Sequence, residues 1–223
     1  MGPPEIRVCG RSSKVRITAS AAATTVSVDG VEIAPSAPDV YEVTRTSSKI
    51  DIVCPEGCAV SVSTASGSIT TRGRLGAVRT MTMSGNVSLE HAADIEARSG
   101  SGRLQVDSCD GCCRVVTASG RIDLDGSDDV EIATVSGAVH IGQLRGRAAI
   151  RTVTGAVSLG ADSTAQVEVH SVSGKVAVEL PAASLGTMTL RSVTGRVIGE
   201  LPHGDGAGIE VSTISGSIEV RSG

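Results

Sequence analysis

The chain has 223 residues, a formal charge of −4 at neutral pH and a sequence pI near 5.6. Its one aromatic residue is Tyr41, and 27 residues are Gly. That balance speaks against a nucleic-acid partner, which calls for a basic patch, and against sites built on ring stacking, such as sugar platforms or single-strand grooves. A core without rings must be filled by short branched Val, Ile and Leu side chains in many small layers, which favours β-structure over a helical bundle.

In chain order, Met1-Gly-Pro-Pro-Glu-Ile6 shows neither a basic n-region nor an apolar h-region, so no secretory leader is read there. The longest uncharged stretch, Gly57 to Thr71, has 15 residues, short of the roughly 20 a membrane helix needs. No transmembrane segment is expected, and a cytoplasmic location follows. Cell-envelope association is the alternative for a chain whose leader has been removed. Glu5–Cys9 and Lys14–Thr18 flank Gly10-Arg-Ser-Ser13 as in a hairpin, and Thr25–Val28 and Val31–Ala34 flank Asp29-Gly30, a good two-residue turn. Two more strands are read around Tyr41–Val43 and Lys49–Val53. Residues 1–56 are therefore expected to form an N-terminal β-hairpin cap region ahead of a repeat domain, 57–223.

The repeat is the dominant signal. Nine glycines recur in one context: Gly67, Gly85, Gly102, Gly120, Gly137, Gly155, Gly174, Gly195 and Gly216, spaced 17 to 21 residues apart. With each glycine as position zero, positions −3 and −1 are Ser or Thr in all nine units, and position +2 is always Val, Ile or Leu. Val130 and Ile132 alternate with Glu131, and Val139 and Ile141 with His140, so each unit reads as two short strands joined at a glycine corner. The corner needs φ > 0 or a close backbone approach. Five to nine further residues reach the next unit, too few for a crossover helix, so consecutive units must stack as parallel rungs. The expected fold is all-β: a single-stranded parallel β-solenoid, a right-handed β-helix of about nine rungs, with an N-terminal antiparallel β cap. At about 4.8 Å per rung such a stack is roughly 40 Å long. Parity puts −7, −5, +2 and +4 inside, together with the hydroxyls at −3 and −1.

The phrases "VSTASGSITTRGRLGAV", "VTASGRIDLDGSDDVEIATVSGAVHIG" and "IEVSTISGSIEV" resemble the bacterial putative-adhesin β-repeat family, a domain of unknown function rich in "TxSGxVxV" units. The segment "PEIRVCG" and the two "ELP" turns, Glu179–Pro181 and Glu200–Pro202, resemble it as well. The resemblance implies a fold rather than a chemistry, with an adhesion role and a link to the cell envelope.

Candidate chemistry is sparse. Cys54-Pro-Glu-Gly-Cys58 and Cys109-Asp-Gly-Cys112-Cys113 form two potential metal half-sites, with Cys9 a further thiol. Cys58 and Cys113 fall three rungs apart, about 14 Å by rung spacing, too far for one zinc ion with ligands at about 2.3 Å. Small apolar or loop roles, or a local disulfide, fit them better. Asp123-Leu-Asp125-Gly126-Ser127-Asp128-Asp129 resembles a calcium loop but lacks a distal Glu. His91, His140, His170 and His203 lie on different rungs, and no Ser-His-Asp, HExxH or phosphate-loop pattern is present. The Thr-x-Ser/Thr columns resemble those of ice-binding solenoids, but parity turns them inward. No catalytic, cofactor or metal residue is assigned, no cofactor is expected, and the protein is not read as an enzyme.

The outward positions say more. Position −6 gives Arg79, Glu96, Arg114 and Glu131 on successive rungs, an alternating ladder. Position −2 is apolar: Ala65, Met83, Ala118, Val135, Val153, Val172, Val193 and Ile214. Either the corner rotates this column inward or it is an exposed stripe that a partner covers. The function read is a non-catalytic scaffold or adhesin-like module acting through protein contacts or self-assembly. The alternative is a solenoid enzyme acting on an envelope polysaccharide, which a cleft lined by Asp or Glu of neighbouring rungs would favour. Because Ser215–Val220 stands last, a homodimer through an uncapped C-terminal rung is expected, with a lateral dimer through position −2 as the competing geometry.

Overall fold

A computed structural model describes residues 4–44, 49–182, 184–199, 204 and 206–222. The chain divides into two compact units, 1–111 and 112–223. Each is all-β and built of parallel rungs, as a solenoid requires.

The first unit contains β1 (Glu5–Ser12), β2 (Lys14–Ser20), β3 (Ser27–Val28), β4 (Val31–Glu32), β5 (Val40–Thr44), β6 (Lys49–Pro55), β7 (Ala59–Ser66), β8 (Ile69–Ser84) and β9 (Val87–Ser101); β10 (Arg103–Ser119) runs through the boundary. The inner columns follow the expected parity. Ile6, Val60, Val78 and Ile95 are register partners in turn on the first half of each rung. Ile50, Val15, Ile69 and Val87 are partners on the second half. All eight are at most 3% exposed. The expected hairpin of Glu5–Cys9 with Lys14–Thr18 does not form. β1 lies parallel to β5 and β7, and β2 parallel to β6 and β8, so β1–β2 is a rung with Ser13 in the glycine place. The Gly10-Arg-Ser-Ser13 segment gave a hairpin signal, but each strand finds its partners on the rungs above and below. The Asp29-Gly30 hairpin does form, with φ of 51° and 80°, and its β3 pairs antiparallel with β6, covering that edge.

The second unit contains β11 (Arg121–Ser136), β12 (Val139–Thr154), β13 (Val157–Ala161), β14 (Gln166–Ser173), β15 (Val176–Leu180), β16 (Gly186–Thr194), β17 (Val197–Ile198), β18 (Ala207–Ser215) and β19 (Ile218–Ser222). Val139, Val157, Val176, Ile218 and Val197 succeed one another in register. That order departs from the chain order. The last strand pair, β18–β19, is inserted between β14–β15 and β16–β17. Ile218 and Val220 are therefore 1% and 4% exposed inside the stack, so the rung expected to end it is internal, and among the described residues β16–β17 is the outermost rung. The dimer proposed through it loses its basis. Leu180, Ala207 and Val211 are buried in the same core.

The glycine corners meet both of their expected requirements. Gly155 has φ of +140°, and a Cβ on it would lie 1.9 Å from the carbonyl oxygen of Gly137. The same approach recurs from Gly174 to Gly155 and from Gly216 to Gly174, so the backbone itself is the packing surface at the corner. The threonines at −3 are buried, with Thr82, Thr117 and Thr134 at 5–7% exposure, and Thr117 Oγ1 donates to the Ser119 carbonyl at 3.3 Å. Position −1 differs from expectation: Ser119, Ser136 and Ser173 are half-buried and Ser84, Thr154 and Ser215 exposed, because the chain has already begun to turn there.

Candidate functional site: the lateral face of the 112–223 unit

Outward positions on the first half of each rung form four columns in the second unit. The register of β12, β14, β18 and β16 gives their spatial order. At −2 stand Val153, Val172, Ile214 and Val193, preceded by Val135 on β11. Their exposures are 43%, 42%, 55%, 76% and 56%, so the column faces solvent and the corner does not rotate it inward. Val116 and Ala133 widen it, and with Val135, Val153 and Arg151 they border a shallow apolar groove of about 240 Å³.

Position −4 runs Arg151, His170, Ser212, Arg191. Arg151 and Arg191 are exposed, with no ion-pair partner among the described residues. His170 differs: its Nδ1 lies 2.6 Å from Ser212 Oγ and its Nε2 3.0 Å from Glu168 Oε1. Glu168 Oε2 also lies 3.5 Å from Arg147 Nη2. The hydrogen bond from His170, aided by the Arg147 charge, holds the Glu168 carboxyl below the usual carboxylate range. Beside it, Arg147, Gln166, Glu168, Thr187, Thr189 and Glu210 line a polar groove of about 410 Å³. Glu168 and Glu210 are register partners on neighbouring rungs, and Gly208, with no side chain, makes room for the Gln166 amide that lies over it.

The other sequence candidates are scattered. Arg79 Nε donates to Glu96 Oε2 at 2.8 Å in the first unit, and Arg114 Nε to Glu131 Oε2 at 2.8 Å in the second, so each unit carries one pair of the expected ladder. Asp123 is engaged by Arg121 at 2.8 Å, Asp128 by Arg145 at 2.5 Å, and Asp129 Oδ1 accepts from the Arg147 amide at 3.1 Å. Those carboxylates of the calcium-like segment serve as strand-edge partners. Cys54, Cys58, Cys109 and Cys113 are buried and Cys9 and Cys112 exposed, all as free thiols. Cys54 Sγ donates to the Thr18 carbonyl at 3.9 Å, and the interaction of the Cys54 and Cys58 thiols with each other pushes Cys54 up and Cys58 down. Among the described residues no group of His, Cys, Asp and Glu has metal-holding geometry. His91 Nε2 lies 2.9 Å from Asp110 Oδ2, His140 is exposed, and His203 and Glu200–Pro202 fall outside the described residues.

Sequence reading missed Glu168, Ser212 and Glu210. Their neighbourhood depends on β18 lying next to β14, whereas spacing along the chain places Ser212 beside Arg191 alone, with His170 a rung further off. The usable signal was parity: all three are outward residues on strands of the same pattern.

The fold and this face define a parallel β-solenoid with a lateral surface of apolar, basic and acidic columns. The family model described as Toastrack DUF4097 matches residues 71–222, so the chain belongs to that family, a domain of unknown function. No curated protein and no solved structure matches the chain significantly. Among the described residues no helix is long and apolar enough to cross a membrane.

Proposed function

We propose that this protein is a β-solenoid docking module whose 112–223 unit binds a partner protein along the exposed column Val135–Val153–Val172–Ile214–Val193. The observation that carries the reading is the continuity of that column beside two arginines without ion-pair partners. Isolated exposed apolar residues are ordinary, but a contiguous apolar strip is a mark of an interaction surface. Arg151 and Arg191 lie two residues from the strip and select by charge. The partner accordingly presents an apolar ridge flanked by acidic side chains.

A second copy of this chain fits less well. A two-fold axis across the column would reverse the rung order and set Arg151 against the other copy's Arg191, like charge on like charge. An adhesin-like role at the cell envelope is one setting for such a face and the cytoplasm the other. Fractionation of native cells separates them.

A designed helical peptide with a leucine face and glutamate flanks tests the reading by fluorescence anisotropy. The Glu-flanked peptide should bind and a Lys-flanked version should not. Val153→Lys with Val172→Lys should abolish binding without lowering the melting temperature, because both positions face water. Absence of binding by either peptide overturns the reading. A concentration-dependent dimer in light scattering that the double variant dissolves reassigns the column to self-association.

A further inference from the structure

Glu168, His170 and Ser212 form a hydrogen-bonded chain with a fixed direction. A carboxylate can only accept, so His170 Nε2, 3.0 Å from Glu168, carries the hydrogen. In the neutral imidazole Nδ1 is then the lone-pair nitrogen, and it accepts the Ser212 hydroxyl proton at 2.6 Å. Arg147 and His170 keep Glu168 ionised, so the polarity of the chain is set by charge. A carboxylate orienting an imidazole that in turn receives a serine proton is the arrangement of an activated nucleophile. Other folds build it from different chain orders, so its absence as a sequence motif does not count against it.

We propose that Ser212 is a nucleophile for acyl transfer from O-acylated carbohydrates, with His170 as general base and Glu168 as the residue that positions it. The substrate class follows from what flanks the serine. On one side the 410 Å³ groove offers Arg147, Gln166, Thr187, Thr189 and Glu210, a set of donors and acceptors suited to sugar hydroxyls. On the other side Val172 and Ile214 offer an apolar seat for a short acyl group. Arg191, the register partner of Ser212 on β16, supplies a cation for the developing oxyanion.

The reaction balances without a redox partner. Ser212 Oγ forms a bond to the ester carbonyl carbon while its proton passes to His170 Nδ1. Collapse breaks the bond between that carbon and the sugar oxygen, which leaves as an alcohol with the proton from His170. Water, deprotonated by His170, then cleaves the acyl-serine, giving a carboxylic acid and restoring the hydroxyl. The inference goes beyond the docking reading and does not depend on it.

The test uses the full chain and a fluorophosphonate probe, with the labelled serine located by mass spectrometry. Ser212 should be labelled, and Ser212→Ala should lose the label while melting like the parent. His170→Ala should slow labelling by about 100-fold or more. Glu168→Gln should slow it as well and Glu168→Asp restore part of the rate, a rescue that a merely structural role would not give. Acetate should be released from glucose pentaacetate by the parent and not by Ser212→Ala. Labelling of Ser212 no faster than that of the exposed turn residue Ser163, or unchanged in His170→Ala, overturns the nucleophile. Labelling without acetate release overturns the carbohydrate-ester assignment.

Discussion

Single side chains in this protein are judged by the rung above and the rung below. Thr80 is 1% exposed and stands in an inner column between Val62 and Ala97, and its hydroxyl has no hydrogen-bond partner. An unsatisfied buried hydroxyl costs free energy, and valine has nearly its shape. Thr80→Val should therefore raise the unfolding free energy by about 1 kcal/mol in urea titration; an unchanged or lowered value would mean the hydroxyl is satisfied. Gly155 carries the opposite lesson. Its φ of +140° and the 1.9 Å approach to the Gly137 carbonyl leave no room for a methyl group. Gly155→Ala should cost more than about 1 kcal/mol, read in the same titration, and a neutral result would break the account of the corner.

At the level of strands, edge charges are tied in short clusters. Glu96 on β9 meets Arg79 of β8 at 2.8 Å and Arg98 on its own strand at 2.9 Å. The hydrogen bond from Arg79 is the main cause that lowers the Glu96 carboxyl below its ordinary value of 4.5. Glu168 and Glu219 are lowered too, Glu219 chiefly by its hydrogen bond from Lys175. Groups with lowered folded-state values stay ionised when the unfolded chain has begun to take protons. Their stabilisation is thus complete above the ordinary value of 4.5 and fades as pH falls below it through the folded values. The melting temperature should drop on going from pH 6 to pH 3, and Glu96→Gln should shrink that drop. Reversal to Glu96→Lys places a third cation between two arginines, so it should lower the melting temperature at low salt and less so at high salt. A salt-independent effect would point to lost packing instead.

At the level of each whole unit, the chain is interlocked at both extremes of its sequence. In the first unit β1–β2 lies between β5–β6 and β7–β8, so the first rung in sequence is not the first in space. In the second, β16 finds its rung partner in β18, and β17 in β19, both later in the chain. The Gly195 rung cannot pair until the Gly216 rung has arrived. A chain truncated after Gly206 should leave β16–β17 unpaired, and trypsin should then cut rapidly after Arg191 and Arg196. In the full chain both sites should be protected by the ladder, although both side chains are exposed. Equal cleavage of the two forms would contradict the inserted order. The same insertion brings Ser212 to His170, so the Glu168–His170–Ser212 cluster depends on the interlock.

The repeat of glycine, hydroxyl and aliphatic residues determined the rung, its inward parity and the buried −3 column, because these are contacts between equivalent positions and a strand alternates its faces with period two. It also left the −2 column outward by parity. Tertiary structure alone decided which rung lies next to which. Residues 5–20 read as a hairpin because local turn chemistry carries no information about a parallel partner 54 residues away, as in Ser12 and Ser66. The lateral site had the same fate. Glu168, His170 and Ser212 are each legible as outward residues, but 42 residues separate His170 from Ser212. Every rung offers nearly the same apolar faces to its neighbours, so short-range pattern cannot choose the order of stacking. Only the closing of the whole chain, with each rung's edges paired at once, makes that choice.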